Sequence, residues 1–165
     1  ITQGCSHEFL KVTVKALKKF SEVQTIIKPH PCDVEPKWHE KILRKENYHA
    51  LVLDPKSNTF EALFACDLMI TISSTVAIEA MVLNKPVVIV NLTGEPDPMP
   101  YVESGAALGA YQEKDVVHVI RKALFDEDVR KELEKNRKEF VKYHLHNVGN
   151  ATKNVVRLVE EMIAD

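Results

Sequence analysis

The densest chemistry in the chain lies in residues 67–90, DLMITISSTVAIEAMVLNKPVVIV. Ser73, Ser74 and Thr75 stand in a row where a strand-like run gives way to a helix-like one. A helix start offers backbone N–H groups and the positive end of a dipole, and three hydroxyls add donors, so the turn suits a phosphate or diphosphate. Ordinary N-capping by Ser and Thr accounts for the same residues. Glu79 follows Thr75 by four positions, one turn along the same helix face. It can accept hydrogen bonds from a ribose diol or stand as a plain helix carboxylate, but in the apolar run VAIEAMVL it needs a partner.

Three further groups fall at strand ends. In Lys28-Pro29-His30-Pro31 the flanking prolines hold the histidine in a rigid extended turn. An imidazole so held can donate to a diphosphate oxygen and stabilise a leaving group, or simply tie down its loop. Gln3-Gly4 follows the first residues, where glycine would let the backbone approach a phosphate or sugar closely; a turn glycine is the alternative. Thr93-Gly94-Glu95 opens a proline-rich loop, with Glu95 either an acceptor for sugar hydroxyls or a solvated acid. Neither G-x-G-x-x-G nor G-x-x-x-x-G-K-[ST] occurs. No Asp-x-Asp suits a catalytic divalent ion, and His144 and His146 have no acid or cysteine at ligand spacing, so no metal site is expected.

The elements that must position these groups alternate. Residues 1–3 read as the end of a strand and 8–20 as a helix. Strand 23–28 stops at Pro29; helix 37–45, strand 49–53, helix 59–66, strand 68–72, helix 75–83 and strand 87–90 follow. Residues 91–100 carry three prolines and read as an irregular loop. A short strand within 106–111 and helices over 113–125, 128–143 and 154–164 complete the chain. Strands apolar on both faces and alternating with helices imply one parallel sheet covered on both sides, a Rossmann-like three-layer α/β domain over 1–165. Ligands of such sheets bind beyond the carboxyl ends of the strands, where Ser73 to Thr75, His30 and Thr93 all fall.

Composition agrees with a globular domain. Of 165 residues, 45% are hydrophobic and 28% charged. Lys and Arg number 22 against 24 Asp and Glu, a formal charge of −2 that argues against a nucleic-acid partner. Three scattered cysteines read as reduced thiols. No apolar run is long enough to span a bilayer and no signal-peptide pattern is present, so a cytoplasmic location is expected.

Residues 67–90 resemble the donor-nucleotide segment of GT-B glycosyltransferases and of the non-hydrolysing UDP-N-acetylglucosamine 2-epimerases. Both have a strand, a small-residue turn and a helix with Glu-Ala, followed by a Lys-Pro-Val strand, here Glu79-Ala80 and Lys85-Pro86-Val87. Thr71 stands where retaining transferases carry a second glutamate, and Ile78 where epimerases carry one. Thr93-Gly94-Glu95-Pro96 is similar to the epimerases' threonine-glutamate loop, and the turn also resembles that of surface-polymer transferases. The resemblance implies that Ser73, Ser74 and Thr75 bind diphosphate and Glu79 ribose. His30, Gln3, Gly4, Thr93 and Glu95 would complete the nucleotide-sugar site. It implies a UDP-sugar such as UDP-GlcNAc as substrate, no cofactor, and a metal-independent transferase in polysaccharide or surface-polymer synthesis. The chain would be the C-terminal half of a GT-B fold, inactive without an N-terminal acceptor domain, and a homodimer is compatible with it. The 2-epimerase and a non-catalytic sugar-nucleotide module are the alternatives.

Overall fold

The computed structural model describes residues 3–33, 37–145 and 149–164, with side chains from residue 7 onward. Strand β4 (Val87–Val90) sets the architecture. All four of its residues are buried. Successive side chains leave a strand on opposite faces. Val88 and Val90 therefore enter one core, with Val12, Ala16 and Leu17 of α1 (Gln3–Leu17) and Val116 and Ile120 of α5 (Glu113–Phe125). Val87 and Ile89 enter the other, with Ala77 and Met81 of α4 (Val76–Val82) and Phe140 of α6 (Glu127–His144). The result is a three-layer α/β sandwich with the expected all-parallel pairing. Strand β3 (Met69–Thr71) pairs with β4, and β4 with β5 (Leu108–Ala110).

The sheet departs from expectation in one respect. Instead of one continuous sheet, the described residues form a three-stranded ladder β3-β4-β5 and a separate pair. The pair joins β1 (Ile26–Ile27) to β2 (Leu51–Val52), again in parallel. These strands are shorter than 23–28 and 49–53, and Ile26 and Leu51 are exposed. With no third strand alongside among the described residues, only two residue pairs are held in register. The pair packs through Ile27 and Val52 on a third cluster, where Leu10 and Val14 of α1 meet Trp38 and Leu43 of α2 (Lys37–Lys45). Helix α3 (Thr59–Ala65) links the two ladders, its start capped by Asn58, which accepts from the Phe60 amide.

Helix boundaries follow local chemistry. Asp126 ends α5 and caps α6 by accepting from the Val129 amide, so α6 begins before the expected residue 128. Helix α1 begins at Gln3, well before residue 8. Gln3 and Gly4 are therefore helical and not the turn after a strand, while Ile1 and Thr2 lie outside the described residues. Helix α7 (Ala151–Ala164) buries none of its residues, and Val155, Leu158, Met162 and Ile163 stand exposed.

Candidate functional site

The register of β3 on β4 pairs Thr71 with Ile89, so two residues on, Ser73 comes out beside Asn91 at the carboxyl edge of the sheet. Helix α4 starts directly beyond. Its turn is tied locally: the Val76 amide donates to Ser74 Oγ at 3.2 Å, the Ala77 amide to Ser74 O and the Ile78 amide to Thr75 O. This corrects the expectation of free helix-start amides, because the first three of α4 are already engaged. What remains for an anion are the Ser73 and Thr75 hydroxyls and the Ser74 and Thr75 amides, which donate to nothing among the described residues. The turn is propped from below by Tyr101, a fully buried ring whose hydroxyl donates to Ser74 O at 3.4 Å. Burial pushes the Tyr101 phenol above its usual range.

Glu79 is half-buried on α4, and its carboxylate has no hydrogen-bond partner among the described residues, so a ligand hydroxyl would find an open acceptor there. His30 is exposed beyond β1. Its Nδ1 accepts from the Cys32 amide at 3.1 Å, which in the neutral ring leaves the proton on Nε2, free to donate. Lys28 is not a free cation at this edge: its Nζ donates to Pro29 O and to Pro55 O at 2.8 Å, locking β1 to the turn after β2.

His30 and Ser74 line one cavity of about 380 Å³ that opens between the two ladders. Its lining is largely apolar, with Ile26, Ile27, Met69 and Ile70, and also includes Asp33 and His39. Asp33 accepts from Trp38 Nε1 at 3.1 Å and lies 3.5 Å from His39 Nε2.

The loop after β4 is organised by a residue the sequence reading passed over. Asn91 is buried, and its Nδ2 donates to Glu95 O at 2.9 Å and to Asp97 Oδ1 at 2.8 Å. Its Oδ1 accepts from the Thr93 amide and, at 2.6 Å, from the Thr93 hydroxyl. Thr93 therefore spends its hydroxyl proton inside the loop and has none to offer a ligand. The Glu95 side chain is exposed. Asp97 also accepts from the Tyr111 hydroxyl at 2.6 Å, and the Tyr111 phenol is pushed up to about 12, by desolvation first and then by that carboxylate. Gly109 makes room for this ring, since a Cβ there would meet it at 2.7 Å. An Asn just past an apolar strand and an acid six residues on were the available signals. Gln3 and Gly4 sit at the start of α1, and the Gln3 side chain lies outside the described ones. Among the described residues, no three His, Cys, Asp or Glu gather where they would hold a metal ion.

A parallel three-layer fold with hydroxyls and an imidazole at its carboxyl edge is an arrangement suited to binding a ligand beyond the strand ends. The chain belongs to the lipid-A-disaccharide synthetase family, whose model matches residues 4–92, more than half its length. Two solved structures share the fold. UDP-N-acetylglucosamine 2-epimerase superposes with a TM-score of 0.55 at 19% identity, over 87% of this chain and 41% of that one. WaaG, a glycosyltransferase involved in lipopolysaccharide biosynthesis, gives 0.53 at 16% identity, over 94% and 42%. The chain thus spans about two fifths of either protein's length. No curated protein sequence matches it. No helix among the described residues is long and apolar enough to cross a membrane.

Proposed function

We propose that this chain is the donor-binding half of a metal-independent GT-B-type glycosyltransferase that takes a UDP-sugar and builds a lipid-linked or surface saccharide. The observation that supports it most is the cavity between the two ladders, whose lining includes both His30, beyond β1, and Ser74, beyond β3. The diphosphate would lie across the Ser73 and Thr75 hydroxyls and the Ser74 and Thr75 amides. His30 Nε2–H would donate to the oxygen that gathers charge as the nucleoside diphosphate departs. Glu79 would take the ribose diol, Glu95 the sugar hydroxyls, and the start of α1 at Gln3 and Gly4 would approach from the remaining side. The family's printed description, a lipid-A-disaccharide synthetase, agrees with a saccharide on a lipid as acceptor. Acceptor and catalytic base would come from a second, N-terminal domain, so 1–165 alone would bind and not turn over. With the Thr93 hydroxyl engaged by Asn91, the loop gives the epimerase reading no added support.

Calorimetry with UDP tests the proposal. Weak binding that falls at least about tenfold in Glu79→Ala and in His30→Ala is expected, since a charge-assisted hydrogen bond contributes about 1.5–3 kcal/mol. Binding that neither substitution changes would favour a non-catalytic module, and no binding at all would remove the donor site.

A further inference from the structure

His30 is an exposed imidazole on a short turn, and such a group swings freely unless its backbone is fixed from both sides. The chain enters the turn fixed: Pro29 is buried, and the Lys28 ammonium ties β1 to Pro55 O at 2.8 Å. Within the turn, the ring of Pro31 fixes φ, the Asp33 amide donates to His30 O at 2.9 Å, and the Cys32 amide donates to His30 Nδ1. The chain leaves the turn through Asp33. Both carboxylate oxygens of Asp33 accept from Trp38 Nε1, each at 3.1 Å. His39 Nε2 stands 3.5 Å from Asp33 Oδ2, an ion pair whenever that ring takes a second proton.

The far side of this contact is held by packing. Trp38 and His39 are buried at the start of α2, and the indole packs with Leu10, Val14 and Leu43. The His39 ring stacks on the indole at 3.7 Å between centroids, and the His7 ring of α1 packs against it at 4.3 Å. A buried indole N–H needs an acceptor, and any acceptor in reach would serve. Here the acceptor is the last residue of the His30 turn, so one hydrogen bond both satisfies the core and fixes the turn. A carboxylate makes it the stronger, charge-assisted kind.

We propose that Asp33 is a positioning residue for His30: through Trp38 it fastens the turn to α2, and so keeps the Cys32 amide on Nδ1 and the proton of the neutral imidazole on Nε2. This setting of the histidine stands on the geometry alone, and only its consequence for a departing diphosphate rests on the donor reading above. Asp33 need touch no ligand, since it acts through His30. Removing either half of its bond to the indole should release the same turn. Asp33→Asn keeps an oxygen acceptor for the indole and should preserve the turn. Trp38→Phe keeps an aromatic ring in the cluster but has no N–H to donate.

Nitrogen NMR of the full-length protein labelled at histidine tests it, at about pH 8, on the alkaline side of the imidazole range. The His30 signals are those lost in His30→Gln. In the wild type they should show Nδ1 bare and Nε2 protonated. In Asp33→Ala and in Trp38→Phe they should move toward a mixture of the two tautomers, and in Asp33→Asn they should keep the wild-type pattern. A wild-type ring that is already a mixture would overturn the proposal. So would a His30 signature unchanged in Asp33→Ala and Trp38→Phe, which would leave Asp33 as no more than the acceptor of the indole, whatever the melting temperatures do. Where UDP binds, Asp33→Ala should weaken it at least about threefold, and should add less than about twofold to the loss in His30→Ala, because one residue acts through the other. Losses that multiply in the double variant would overturn the proposal too. A wild type that binds no UDP would sink the donor reading, and the tautomer of His30 would still decide the role of Asp33.

Discussion

Replacing Asn91 by alanine should loosen the whole loop after β4. The side chain makes four hydrogen bonds: two donated, to Glu95 O and Asp97 Oδ1, and two accepted, from the Thr93 amide and hydroxyl. Thr93 and Glu95 are exposed, so water can replace three of these, and each is worth only about 0.5 kcal/mol, the low end for a net hydrogen bond. The bond to the half-buried Asp97 carboxylate is charge-assisted and worth about 1.5 kcal/mol. The expected loss is about 3 kcal/mol, which for a chain of this size lowers the melting temperature by about 6–12 °C. Asn91→Asp should be worse at neutral pH, because both donors vanish and a second carboxylate faces Asp97. Its deficit should shrink as the pH falls and the pair takes up a proton. Differential scanning calorimetry of the two variants, with hydrogen exchange over residues 91–97, reads all of this. A drop below about 2 °C in Asn91→Ala, with exchange in the loop unchanged, would refute the reasoning that one buried amide holds this segment.

Other expectations follow from burial and charge. Tyr111 has its pKa raised from 10.0 to about 12, so its stabilising contribution is complete below pH 10 and is lost as the pH climbs toward 12. Half-exposure screens it to under about 1 kcal/mol, and Tyr111→Phe should lose both that alkaline decline and the highest-pH step in phenolate absorbance. Arg137 is buried, with Nη2 donating to Asn84 O and Oδ1 while Nε and Nη1 have no partner among the described residues. Arg137→Ala should cost about 2–3 kcal/mol by chemical denaturation, whereas Arg137→Met, which fills the space without a charge to desolvate, should be near neutral. Ending the chain after Leu145 removes α7, which buries nothing, and should move the melting temperature of the remaining body by less than about 2 °C.

Much of the fold was legible because its signals are local. Residues 37–45, 87–90 and 113–125 form the expected elements to the residue, since an amphipathic repeat or a run of buried Val and Ile needs no distant partner to declare itself. The irregular loop over 91–100 follows from its prolines in the same way. The split sheet was not legible: whether β1 and β3 touch depends on what lies between them, and neither strand's composition records that. At the site, the sequence placed Ser73 to Thr75 and His30 at strand ends correctly. It missed that Ser74 closes on its own helix and that Thr93 is claimed by Asn91, because hydroxyls serve a neighbouring amide or a ligand with equal ease. Tyr101 and Tyr111 brace these two segments from 27 and 14 residues away, and nothing in local pattern points across such distances.

The central claim is that the edge shared by His30 and the Ser73 to Thr75 turn holds a nucleoside diphosphate. A crystal of the full-length protein soaked in UDP tests it most directly. The account predicts diphosphate density within hydrogen-bond distance of the Thr75 hydroxyl and His30 Nε2, with the ribose at Glu79. UDP bound elsewhere, or an empty edge at saturating UDP, would contradict it.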